Sequence, residues 1–113
     1  MSWYVLVEAN ESHGDGNTWE PVAKVPGEGG REAATARAEE IGRTSLRGSL
    51  PDGEGRQVFR TSPTSWLVET SRLVRRERSA DPTRYTRHLR ITVAELEFAR
   101  EPAEPPAKRW LRR

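Results

Sequence analysis

The chain has 113 residues, 34% of them hydrophobic and 32% charged, with 8 proline, 9 glycine and no cysteine. This length and composition fit one domain with a lean core, and the lack of cysteine excludes disulfides, thiol nucleophiles and cysteine-ligated zinc. The formal net charge of +2 hides a division, because residues 1–55 hold 10 acids and 5 bases while residues 56–113 hold 7 acids and 14 bases.

The first residues, "MSWYVLVEANE", lack the basic start and long apolar stretch of a signal peptide. No apolar run approaches the roughly 20 residues of a spanning helix. A soluble, cytoplasmic protein without membrane contact is expected. Trp3–Val7 is aromatic and β-branched and reads as a strand. Trp3, Val5 and Val7 point to one face and Tyr4 and Leu6 to the other. "SHGDGN" then reads as a turn within a loop spanning 10–18. "TWEPVAKV" is a second strand that Pro21 confines to a sheet edge.

"PGEGG" breaks the chain before the helix "REAATARAEEI". Ala34, Ala38 and Ile41 recur at i, i+4 and i+7 and form one narrow apolar stripe. Glu32 in the first turn and Arg43 near the last suit the helix dipole, and Gly42 is a natural stop. Beyond the loop "SLPDGEG", "RQVFRT" and "SWLVET" form a hairpin through "SPTS". "RLVRRERSADPTRYTR" reads as a long basic connection. "RHLRITVAELEFA" closes the domain as a strand, since Leu89, Ile91 and Val93 alternate, although "TVAE" also matches a helix capping box.

The predicted fold is α+β: an antiparallel sheet of about five strands in the order β-β-α-β-β-β, with one helix packed on one face. The domain covers residues 1–100, and 101–113 is a proline-rich, basic and flexible tail. One alanine-rich helix cannot cover both faces of such a sheet. The second face therefore needs a curled sheet, a terminal segment or another chain over it, and a homodimer is the favoured reading. Trp3, Val5, Val7, Trp66, Val68 and Trp110 are the interface candidates. Trp3, Val5, Val7, Phe59, Trp66, Val68 and Ile91 are the residues expected in either core or interface, since alternation alone does not separate the two. Trp110, in "EPAEPPAKRWLRR", is a candidate cover for the exposed face.

Signs of catalysis are sparse. His13 lies in a glycine-rich loop and His88 among arginines, and both read as exposed or structural. Glu11, His13, Asp15 and Asn17 alternate as in a calcium loop, with Gly16 at the sixth position, but Val22 stands where the twelfth-position glutamate belongs. No phosphate-binding, dinucleotide-binding or nucleophile-elbow motif occurs. Hence no catalytic residue, no metal and no cofactor is assigned. Arg72, Arg75, Arg76, Arg78, Arg84, Arg87 and Arg90, with Tyr85 among them, offer phosphate contacts and a stacking ring.

The segments "GGREAATARAEEI", "RQVFRTSPTSWLVET" and "RITVAELEF" resemble those of small uncharacterised actinobacterial proteins, streptomycete ones in particular. The resemblance implies a shared α+β fold and no nameable activity. The resulting expectation is a non-enzymatic accessory or adaptor protein that binds a protein partner or itself. The alternative is a nucleic-acid-binding domain using residues 72–90 and the basic tail.

Overall fold

The computed structural model describes residues 2–13, 16–77 and 81–107, with 11–13, 16 and 17 described by their backbone alone. Strands β1 (Trp3–His13) and β2 (Gly16–Pro26) form a hairpin, and helix α1 (Arg31–Arg43) follows. Strands β3 (Glu54–Ser62), β4 (Ser65–Val74) and β5 (Thr83–Glu95) form a meander. The five strands make one sheet in the order β2-β1-β5-β4-β3, and every neighbouring pair is antiparallel. This is the α+β architecture that the apolar periodicities predict. Among the described residues no helix is long and apolar enough to cross a membrane.

Helix α1 joins the two outer strands by crossing one face of the sheet, and its contacts fall on β5, β1 and β3. Ala34, Ala38 and Ile41 are buried there against Val5, Val7, Trp66, Val68, Ile91 and Val93. Each fully buried valine or isoleucine contributes about 1.5–3 kcal/mol by leaving water. Small residues let the helix lie close. Gly27 donates its N–H to Trp3 O at 2.7 Å, and a Cβ on Gly27 would stand 2.4 Å from Ala34 Cβ.

Gly42 departs from its expected role as a helix stop. It lies inside the helix and is buried, and a Cβ there would sit 3.5 Å from Val58 Cγ1 and 3.8 Å from Ile91 Cδ1. Here glycine serves close approach to the sheet, and packing overrides its weak helix propensity. The helix stops one residue later. The Thr44 N–H and hydroxyl both donate to Glu40 O, at 2.9 and 2.6 Å. Arg56 completes the helix end from β3, donating to Ile41 O at 3.1 Å and Gly42 O at 2.9 Å. Its guanidinium also pairs with Glu54 Oε2 at 2.9 Å, and only 7% of the side chain is exposed. A buried cation at the negative end of the helix dipole is favourable because carbonyls and a carboxylate accept hydrogen bonds from its N–H groups.

Three boundaries differ from the sequence expectation. The backbone of β1 and β2 runs through most of the expected loop 10–18, pairing down to His13↔Gly16. Half of the expected connection 72–87 is strand, with Arg72↔Tyr85, Leu73↔Arg84 and Val74↔Thr83 in register. Both segments are mostly polar in sequence, so neither shows the apolar alternation that identifies a half-buried strand. The last strand ends at Glu95, with Leu96 N–H on Ser2 O at 2.8 Å. The capping-box reading of 92–95 fails because those residues pair with β1 and β4. Residues 96–107 carry no regular structure and are exposed. The rest of the tail, Trp110 included, lies outside the described residues.

Edge strand β2 carries a bulge. Val7 faces Ala23 and Glu8 faces Pro21, leaving Val22 as the extra residue. A proline on an edge removes no ladder bond, and a bulge there discourages unwanted strand pairing.

Candidate functional site

Alternation along each strand divides the sheet into two faces. The helix side takes Val5, Val7, Trp66 and Val68, all buried within the chain. Trp3 is half-buried at its margin, with the Arg31 guanidinium 5.8 Å from its ring centroid. These five interface candidates therefore belong to the helix-covered side. Ile91 is also buried there, whereas Phe59 is not.

The opposite face carries their alternates. Across its middle runs the register row Phe59–Leu67–Arg90–Glu8. Leu6 and Thr92 stand opposite one another on one side of this row. On the other side stand Glu69 and His88, also directly paired. Phe59 is 50% exposed, while Leu6, Leu67 and Trp19 are half-buried. The one helix among the described residues lies on the other side, so this face has no helix over it.

Two carboxylates on this face, Glu8 and Glu69, find basic side chains within it. Arg90 Nε donates to Glu8 Oε1 at 3.0 Å, and a second guanidinium nitrogen donates to Oε2 at 3.2 Å. The same guanidinium lies 4.5 Å from the Trp19 ring centroid, within cation–π range. The hydrogen bonds from Arg90, with its charge, hold the Glu8 carboxyl below its ordinary value, and Glu8 raises Arg90 in return. His88 Nε2 lies 3.2 Å from Glu69 Oε2. A carboxylate oxygen accepts, so the tautomer with its proton on Nε2 is the one that makes this hydrogen bond. Lys24 Nζ sits 5.8 Å from the Tyr4 ring centroid.

The arginines that the sequence groups together are separated by the register. Arg72, Tyr85 and Arg87 share the helix side of the β4–β5 arm, because Arg72 faces Tyr85 and Thr70 faces Arg87. Arg84 and Arg90 take the other side. Arg75 and Arg76 follow the end of β4, and Arg76 donates to the Tyr85 hydroxyl. Arg78 lies outside the described residues, as do Asp15 and the side chains of Glu11, His13 and Asn17.

No group of three metal-ligating side chains occurs among the described residues. A concavity of about 280 Å³ beside the helix end is lined by Val22, Ile41, Leu46, Arg56 and Leu89. Another, of about 540 Å³, follows the β2 bulge past Leu6 and Lys24. Neither contains a histidine. The face thus combines half-buried apolar side chains, an aromatic ring and an ion pair closed within it.

Trp19, Glu8 and Glu69 were not singled out by sequence reasoning. Glu8 and Arg90 are 82 residues apart, and nothing local marks either as the partner of the other. Leu6 and Leu67 were legible as the alternates of Val5 and Val68. No protein-family model, no curated protein and no solved structure matches this chain.

Proposed function

We propose that the protein is a non-enzymatic accessory protein that acts by binding and self-associates as a homodimer through the uncovered face of its sheet. The observation that carries this reading is the row Phe59–Leu67–Arg90–Glu8, where apolar side chains stand beside an ion pair closed within one face. Burying a charge is costly unless it is already paired and hydrogen-bonded. Glu8 and Arg90 meet that condition before any partner arrives, and Glu69 has a hydrogen-bond partner in His88. A two-fold contact sets identical patches against each other, and this central ion pair need not be broken to bring a second copy onto the row.

The area is also adequate. Five strands about 4.8 Å apart and a shared paired length of about seven residues give a face of roughly 24 Å by 24 Å. With the flanking hairpins this approaches the ~800 Å² per partner of an ordinary interface.

Light scattering across a dilution series tests the reading. A dimer mass at tens of micromolar that falls to monomer in Phe59→Glu and in Leu67→Lys is the expected result. A strict monomer at that concentration overturns it, as does a dimer that both variants leave intact. Circular dichroism confirms that the variants remain folded.

A further inference from the structure

We propose that the open edge of strand β3 takes up residues 96–101 of a second copy as an added antiparallel strand. The contact uses the backbone edge of the sheet and does not depend on the face contact proposed above. The two edges of the sheet are built differently. On β2, Pro21, Pro26 and the bulge at Val22 interrupt the row of pairing groups, as protected edges do. Strand β3 runs for nine residues without a proline, and its one register shift lies at its far end, between Arg60 and Ser62. Its one strand neighbour is β4, and residues 57–61 are exposed whichever face they point to. No strand or turn among the described residues pairs with the outward backbone groups of 55–60. An edge of this kind is a template for another strand.

The segment after β5 has the pattern of a strand and no partner. Leu96 and Phe98 alternate with Glu97 and Ala99, which gives an apolar row and a small or acidic row. Leu96 is 43% exposed, and Phe98, at 81%, is the most exposed large apolar side chain among the described residues. Pro102 ends the run because it has no N–H to pair. In its own chain this segment does not reach β3. Leu96 is held to Ser2 O, on the β1 side of β5, whereas β3 lies beyond β4 on the other side. Arg60 is level with Ile91 through Trp66, so Glu97 starts about 20 Å further along the strand direction. The strand that fits the edge therefore comes from another copy.

One antiparallel register matches the side chains on both faces. With Glu97 opposite Arg60, Phe98 falls opposite Phe59 and Ala99 opposite Val58. On the helix side Glu97 then enters a hollow of about 190 Å³ lined by Glu39, Arg43, Val58, Arg60 and Trp66. Two arginines share one carboxylate there: Arg60 lies 3.5 Å from Glu39, and Arg43 has no ion pair among the described residues. A second carboxylate balances the hollow. Ala99 is small enough to lie beside Val58 and the helix. On the other face the Phe98 and Phe59 rings meet, a favourable cross-strand pair. Backbone hydrogen bonds supply the affinity of such strand addition, and alternate side chains supply the selectivity.

Sedimentation of Leu67→Lys, a variant that removes the face contact, tests this contact apart from that reading. Its mass should rise above the monomer as its concentration approaches about 1 mM. Phe98→Ser, added to it, should weaken the association about five- to tenfold, and so should Arg60→Glu. Glu97→Arg combined with Arg60→Glu should recover most of that loss, which a merely structural role of Arg60 would not allow. An excess of a synthetic peptide of residues 95–102 should return the mass to monomer, and the same peptide with Phe98→Ser should not. Circular dichroism confirms that each variant remains folded. A monomer at the highest concentration overturns the proposal. Association that Phe98→Ser leaves intact also overturns it, in favour of β3 pairing with the β3 of a second copy.

Discussion

The two faces of the sheet are built from the same five strands, yet they use opposite chemistry. On the helix side, Val5, Val7, Val68 and Ile91 meet small helix residues, and nearly every apolar atom is out of water. On the other side, Leu6 and Leu67 alternate with those residues but share their surface with Glu8, Arg90, Glu69 and His88. One face holds the fold together by close packing. Substitutions on the other should cost the isolated fold less, because its apolar side chains are only half out of water.

The sharpest contrast is between adjacent residues. Trp66 is 3% exposed under the helix side, and its neighbour Leu67 points to the uncovered face. Trp66→Ala should destabilise by about 3–5 kcal/mol, as large core truncations do. In the monomer, Leu67→Ala should stay below about 1 kcal/mol, since the site is half open. Urea unfolding at a dilution where the chain is monomeric measures both, and equal losses would erase the distinction between the faces.

A second comparison concerns how closely the helix sits. Gly27→Ala places a methyl on the Ala34 Cβ and should cost about 2–3 kcal/mol by overpacking. Ala34→Gly, added to it, should recover part of that loss if the collision is the cause. Unchanged stability of Gly27→Ala would mean that the helix can shift away from the sheet. Arg56→Met should cost about 1.5–3 kcal/mol, because it strands the helix-end carbonyls and the Glu54 carboxylate. Arg37→Met, which loses a partly exposed pair with Glu40 at 3.2 Å and a 3.3 Å hydrogen bond to Leu46 O, is the control and should change little.

The smallest effect is the pH response of the uncovered face. Glu8 has a lowered value when folded, below its ordinary 4.5. Its stabilisation is therefore fully present above the unfolded value and is lost as pH falls through the lower folded one. The pair is partly exposed, so its contribution stays below about 1 kcal/mol and weakens with salt. Comparing urea midpoints of the parent and Glu8→Gln at neutral and acidic pH isolates it. The gap between them should be present at neutral pH and close in acid. A gap that persists in acid would show that the ion pair is not its source.

Legibility in the sequence followed burial. Where one face of a segment is buried, as in β1, β4 and α1, the alternating or helical apolar period marks the element and the side that faces inward. Where both faces meet water, as in 71–74 and 83–87, the same backbone pairing leaves no apolar pattern, and the segment reads as a connection. Gly42 misled for a related reason. A glycine that stops a helix and one that admits a neighbouring strand look alike until the neighbour is known.

Composition and periodicity alone determined a small α+β domain with one helix, a lean core and two unlike halves of charge. Alternation also determined that Val5 and Leu6, or Val68 and Leu67, must face opposite ways. Which of those two sides the helix covers was decided only by tertiary structure, because both are apolar enough to be buried. Tertiary structure also decided the partners of charge. Glu8 reaches Arg90, and Arg56 reaches the helix end, only because strand order and register bring distant segments into contact. Local sequence carries no record of that proximity.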